Sequence, residues 1–250
     1  MTHSYGRIKD TPDSRDYKFT PRMAFAVPEA VDLRANCPPV YDQGQLGSCT
    51  ANAIAAAVDY ERQHQGPTTP FMTPSRLFIY YNERVIEGTV ATDSGAQIRD
   101  GFKSIKAQGV CAEYRWPYQI EKFADKPFHG CYGAASWHKT LTYLAVAQAQ
   151  ADMLDCLAQG YPFVFGITVY PSFETPYVDR TGFVPMPSPD EQAIGDHALL
   201  AVGYDVATQR ITFRNSWGTG WGVAGYGTIP FAYLTNPNLA SDLWTIRLEE

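Results

Sequence analysis

Hydrophobic and polar positions follow two different periods along this chain, and the change falls near its middle. After Ser48 the run CTANAIAAAVDYERQHQG is alanine-rich and reads as a helix, with Ser48 at the N-cap and Cys49 in the first turn. Gly66 fits its C′ position and Pro67 follows. A second helix is expected in TPSRLFIYYNERVIEG, with Thr73 as N-cap and Pro74 at the first helical position. A third is SGAQIRDGFKSIKAQG, where Ile98, Phe102 and Ile105 share one face and Gly109 closes the pattern.

Beyond about residue 136 the period shortens. One short helix, QADMLDCLAQGYP, ends at Gly160 and Pro162. Around it TLTYLAVA, PFVFGITVY, HALLAVGYD, RITFRNSWG, GYGTIP and LWTIRL read as strands separated by turn residues. A helical first half and a strand-rich second half predict two lobes in an α+β arrangement, helical over about 34–135 and β-rich over about 136–250. The cleft between two lobes is the default place for a site.

Composition narrows the class. The 250 residues are 45% hydrophobic and 18% charged, the balance of a folded globular chain. A net charge of −6 spread along the chain, with no basic run, speaks against nucleic acid or a membrane surface as partner. The longest apolar segment, Tyr161 to Tyr170, is roughly half of what crosses a bilayer. The polar start, MTHSYGRIKDTPDSRDYKF, lacks the apolar core of a secretion signal. The expected location is cytoplasmic, or exported by a non-classical route, or that of a chain whose leader has been removed.

Five cysteines without a C-x-x-C pair, and five scattered histidines, argue against a zinc site, and no metal or organic cofactor is expected. With Cys49 free, Cys37, Cys111, Cys131 and Cys156 allow two bridges in three ways or none; they read as buried thiols, with a Cys111–Cys131 bridge as the alternative. GWGVAG at 220–225 matches a dinucleotide-binding glycine pattern on paper, but the strand-like YGTIP after it leaves no helix to cradle a phosphate.

Cys49 is the residue with chemical promise. A cysteine on an apolar helix face is most often core filling. At a helix N-terminus, however, unpaired N–H groups favour the thiolate over a free thiol that titrates near pH ~8.5. A nucleophilic thiol also needs a histidine beside it, a third group to orient that histidine, and donors for an oxyanion. The Gln43 side-chain amide and the Cys49 backbone N–H fit that last role, with Gly44 and Gly47 letting the turn close. Gln45 competes with Gln43 and is read as a surface turn residue.

Three blocks in order carry a family resemblance. VPEAVDLRANCPPVYDQGQLGSCTANA resembles the start of a mature papain-family (cathepsin-like) cysteine protease; GDHALLAVGYD resembles its histidine strand and FRNSWGTGWGVAGYG its asparagine block. The resemblance implies a papain-like two-lobe fold with a helical left lobe and a β-barrel-like right lobe. It also implies a thiol-dependent peptidase, expected to be an endopeptidase, that cuts polypeptides through an acyl-enzyme thioester. On that pattern Cys49 is the nucleophile, His197 the acid/base, Asn215 the residue holding the imidazole, and Gln43 part of the oxyanion hole. Trp217 would shield the His–Asn bond, and Gly95 in TDSGAQ would pair with the substrate backbone. Trp221 and Tyr226 are read as packing. The apolar pocket that the family uses for the second residue upstream of the cut has no counterpart legible in the sequence.

There are departures. Leu46 stands where the family signature has a disulfide cysteine, and Thr50 where an aromatic residue usually follows the nucleophile. Residues 1–26 are too few for the family's helical propeptide. They are expected to form a short inhibitory extension, lying on the surface or partly in the cleft, so that the chain is a zymogen. Three alternatives stand beside the endopeptidase. One is a silent papain-fold protein that binds peptide or ligand, and one is a transglutaminase-like acyl-transfer enzyme, which the asparagine block argues against. The third is a thiol aminopeptidase whose cleft is obstructed by ETPYVDRTGFVPMPSPDEQ.

Overall fold

The computed structural model describes residues 3–22, 27–64, 73–137 and 141–248. In chain order the elements are β1 (Arg7–Ile8), β2 (Ala30–Asp32), α1 (Cys49–His64), α2 (Arg76–Glu87), β3 (Ala96–Gln97), α3 (Ile98–Gln108), α4 (His129–Ala135) and β4 (Leu141–Ala145). They continue with α5 (Gln150–Ala158), β5 (Phe163–Val169), α6 (Pro176–Thr181), β6 (Gly195–Asp205), β7 (Arg210–Arg214), β8 (Tyr226–Pro230), α7 (Phe231–Leu234) and β9 (Ala240–Leu248). No described helix is long and apolar enough to cross a membrane.

The six strands read from the sequence form one antiparallel sheet in the order β4-β9-β5-β6-β7-β8, and β2 adds to β6. The alternation of side chains along β5 and β6 feeds two separate cores. Val164, Ala198, Leu200 and Val202 point to the face covered by α1, α2 and α3, where they meet Ile54, Phe78 and Phe102. Phe163, Phe165, Ile167, Leu199 and Ala201 point to the other face, against α5 and the aromatic cluster around Phe173 and Trp221. A strand buried on both faces has no polar stripe, which is why PFVFGITVY is a continuous apolar run.

Helix α1 is buried from Cys49 through Glu61. Its alanines let the sheet approach closely, so it runs through the interior. Gly66 and Pro67, expected to close it, lie outside the described residues. Helix α2 starts two residues later than expected. Thr73 and Ser75 are pinned as extended chain, with Ser75 N–H donating to the Cys111 carbonyl and Glu113 N–H to that of Thr73, both at 2.8 Å. The cap passes to Ser75, whose Oγ accepts from Phe78 N–H at 3.1 Å. Helix α3 begins at Ile98, inside the expected stretch and not at its SGAQ start, because Ala96–Gln97 forms strand β3, whose partner is the N-terminal strand β1.

All five cysteines are free thiols, and Cys37 is half-buried, not buried. Cys111 and Cys131 touch as thiols without a bridge. The glycine-rich 220–225 stretch folds as a turn with Gly222 and Gly225 at positive φ and runs into β8.

Candidate active site

The cysteine turn is held from both sides. Ser48 C=O accepts the first helical bond of α1 from Asn52 N–H at 3.0 Å, which makes Cys49 the first residue of the helix. Gly47 N–H donates to the Asp93 carboxylate at 3.0 and 3.1 Å. Gln43 N–H donates to Ser216 C=O at 2.8 Å, and Gly218 N–H to Tyr41 C=O at 3.0 Å. These last two bonds stitch the cysteine turn to the asparagine block across the cleft floor. The Cys49 sulfur is fully buried, with the Ala198 and Gly6 N–H groups within hydrogen-bonding reach.

His197 lies on β6 opposite Ile167 of β5, and Asn215 follows the end of β7. Because β6 and β7 run antiparallel, both side chains emerge at the same end of the sheet. His197 Nε2 and Asn215 Oδ1 are 2.8 Å apart, and Oδ1 also accepts from Ser216 N–H at 2.8 Å. An amide oxygen only accepts, so Nε2 carries the imidazole proton and Nδ1 is left with its lone pair. Nδ1 makes no hydrogen bond among the described residues. Trp217 stacks over the imidazole at 4.8 Å between ring centroids and 24° between planes.

Gln43 is completely buried and tightly oriented. Its Oε1 accepts from Ser216 Oγ at 2.6 Å, and its Nε2 donates to Leu46 C=O at 2.9 Å. The same nitrogen donates to the carbonyl of Ser4, 3.1 Å away. Gln45 is exposed, as expected.

The N-terminal extension therefore occupies the cleft, beyond the surface or partial packing expected of it. His3 lies flat on Trp217, 3.7 Å away and 4° from parallel, and its Nδ1 meets Glu174 at 3.1 Å. Tyr5 sets its ring edge-on to His197 at 5.9 Å and donates its hydroxyl to Glu174. Gly6 passes between Gly47 and Gly95, and its carbonyl accepts from Ala96 N–H at 2.8 Å. No larger residue fits here: a Cβ on Gly6 would stand 1.7 Å from the Gly47 oxygen, and one on Gly95 2.1 Å from the Gly6 oxygen. Arg7 and Ile8 then pair with Ala96 and Gln97 in parallel.

This burial controls charge. Removal from water pushes the Cys49 thiol up to about 11, against the lowering by N–H groups of Ala198 and Gly6. It pushes His197 down to about 4, against the support of Asn215. The expected thiolate–imidazolium pair is thus not what this closed arrangement favours: with the cleft filled, both groups are neutral.

Of the residues singled out in the sequence, Cys49, His197, Asn215, Gln43, Trp217 and Gly95 all border this one cleft. Glu174, Asp93 and Ser216 were missed. Ser216 sits inside the NSWG block and was within reach of the same reasoning. Glu174 ends a short 3₁₀ helix and Asp93 lies in a loop, and neither carries a local signal. Among the described residues no group of histidine, cysteine, aspartate and glutamate side chains is arranged to hold a metal ion.

Comparison with known proteins agrees with this geometry. The sequence profile of the papain family cysteine proteases matches residues 27–237. An uncharacterized peptidase C1-like protein of Acanthamoeba polyphaga mimivirus is 40% identical over 99% of the chain and 88% of its own length. Cathepsin K of Gallus gallus is 28% identical over 83% of the chain, which spans 60% of that protein. The crystal structure of xylellain, a cysteine protease from Xylella fastidiosa, superposes with a TM-score of 0.94 at 43% identity, covering 99% of this chain and 97% of that one. Helices packed on the two faces of a large antiparallel sheet, the cleft chemistry and these matches converge on one statement: the chain belongs to the papain family of cysteine proteases and is a thiol peptidase.

Proposed function

We propose that Cys49 is the nucleophile, His197 its acid/base and Asn215 the residue that orients the imidazole, and that the N-terminal segment holds this machinery inactive. In the working form, Nδ1 of His197 takes the thiol proton and the sulfur attacks the scissile carbonyl. The oxyanion accepts from Gln43 Nε2 and from the Cys49 N–H, which has no acceptor within α1 because it opens the helix. His197 then protonates the leaving amine, and water hydrolyses the thioester.

The observation that carries this reading is the Gln43–Ser4 hydrogen bond. A peptide carbonyl of the chain itself occupies a buried amide donor next to the thiol. Direction supports inhibition over self-cleavage. The leaving amine belongs to the C-terminal part of a substrate and must lie toward His197 and Trp217. The segment instead places its N-terminal end, His3, on Trp217 and runs away from it toward Arg7. It lies backwards relative to a substrate, so no peptide bond is presented for attack. Endopeptidase action follows if the cleft stays open at both ends once residues 3–8 leave.

Labelling with an irreversible thiol-protease epoxide, followed by peptide mapping, tests the assignment. The label is expected on Cys49, slowly in the parent chain and fast once the segment is displaced. Labelling of another cysteine, or none after displacement, would refute it. Hydrolysis of amino-blocked peptides separates an endopeptidase from the aminopeptidase alternative.

A further inference from the structure

Arg7 is the most deeply held residue of the segment. We propose that the pocket it fills is the one that reads the second residue upstream of the cut, and that Asp242 and Asp196 make that pocket select arginine. The proposal rests on the thiol-peptidase reading above and adds a substrate class to it.

The Arg7 side chain is fully buried. Its Nη1 meets Asp196 Oδ1 at 3.1 Å, and its Nη2 meets Asp242 Oδ2 and donates to Ser241 Oγ. Three neighbouring strands build these walls: β6 supplies Asp196, β9 supplies Ser241 and Asp242, and β5 supplies Gly166 between them. Gly166 makes the space, because a Cβ there would stand 2.1 Å from Arg7 Nε. Gly166 also lies where the β5–β9 register shifts, and a glycine inside a strand serves either such a bulge or the close approach that Arg7 makes here.

Asp196 is tied into the body of the protein independently of Arg7, whereas the Asp242 carboxylate also accepts the Asp10 N–H of the same segment at 3.0 Å and is fixed by its own backbone. Asp196 Oδ1 also accepts from Thr168 Oγ1 at 3.0 Å, a bond between β5 and β6. Asp242 is held at φ 59, in the left-handed region that aspartate and asparagine tolerate better than other non-glycine residues. Such backbone persists where the surroundings over-determine it, as at ligand clamps. When the segment leaves, two partly buried carboxylates face a cavity without their cation. An apolar side chain entering it would desolvate them unpaired, whereas a guanidinium restores both contacts.

Position follows from counting outward from the thiol. The Gly6 amide lies at the Cys49 sulfur, and Arg7 is the next residue away from Trp217, on the acyl side of the cut. An extended substrate on the same β3 edge brings its second upstream side chain over the same three strands.

The test uses the full chain with Gly6→Ala, which displaces the segment, and two fluorogenic acyl-X-Ala-coumarinylamides with X either arginine or leucine. A kcat/KM at least roughly tenfold higher for arginine is expected, and Asp242→Asn in the same chain should reduce that preference to about twofold or less. Asparagine suits the same backbone, so a fold defect is not the readout. Equal rates, a preference for leucine, or a preference that survives Asp242→Asn would overturn the proposal. If neither peptide is cut, calorimetric binding of acetyl-Arg-Gly-amide against acetyl-Leu-Gly-amide decides the pocket separately. Tighter binding of the arginine probe keeps the pocket while the peptidase reading falls, and equal binding removes the pocket. Should Gly6→Ala fold poorly, Arg7→Gly empties the same pocket for the same comparisons.

Discussion

Replacing Gly6 with alanine adds one methyl group at the tightest point of the cleft. That carbon would stand 1.7 Å from the Gly47 carbonyl oxygen and 2.2 Å from its carbon. Ordinary carbon–oxygen contact needs about 3.3 Å, so two backbones must part by roughly 1.5 Å. The Gly6–Ala96 hydrogen bond, now 2.8 Å, cannot survive that shift. Its loss costs about 1 kcal/mol, and residual crowding adds about 1–3 kcal/mol. Both act only on the closed state. With about 1.4 kcal/mol per factor of ten, the open fraction should rise roughly thirtyfold to several hundredfold. The assay is hydrolysis of an amino-blocked dipeptide coumarinylamide, with the rate of Cys49 alkylation by iodoacetamide, read by peptide mapping, as a second measure. Circular dichroism checks that the variant is folded. A folded Gly6→Ala chain that hydrolyses and alkylates no faster than the parent would refute the inhibitory role of the segment.

The remaining predictions bear on chemistry and stability. In the Gly6→Ala chain, Cys49→Ala and His197→Ala should each lower kcat/KM by roughly a thousandfold or more, as for groups acting as one unit; hydrolysis within tenfold of the control by either would remove the mechanism. His197 is held near 4 against an ordinary 6.5, so folding binds fewer protons there than unfolding does. Its contribution, about 3 kcal/mol, is complete above pH 6.5 and lost as pH falls through 4. Melting temperature should therefore drop over that window, and less steeply in His197→Gln; parallel profiles would contradict the burial argument. Cys49 has the opposite sign. Its thiol is raised from 9.0 to about 11, so that stability is present below pH 9 and lost as pH climbs through 11, an effect absent in Cys49→Ala. Ser75→Ala removes the α2 cap and should cost about 1 kcal/mol, visible as a lower melting temperature with unchanged cleft chemistry.

Much of the architecture was legible because it rests on local patterns. The β5 and β6 strands announced themselves by apolar runs, and α3 by its periodic face and closing glycine. The α2 boundary was not legible, because pairing of Thr73 and Ser75 with Cys111 and Glu113 overrode a sound local cap signal. Strands β1 and β3 were equally hidden, since each is two residues long and exists only through the other.

The candidate site divides along the same line. Local chemistry singled out Cys49 and Gln43, and the resemblance of three sequence blocks to the papain family added His197 and Asn215 as the partners a thiol nucleophile needs. Charge state and access were decided only by the tertiary structure. Whether water reaches Cys49 depends on Gly6 threading between Gly47 and Gly95, contacts 41 and 89 residues away in sequence. The same holds for Asp196 and Asp242, 46 residues apart in sequence, whose shared role shows only with Arg7 between them. Local sequence encodes what a side chain can do; the ionisation of a thiol and the charge a pocket demands depend on what the folded chain removes from water around them.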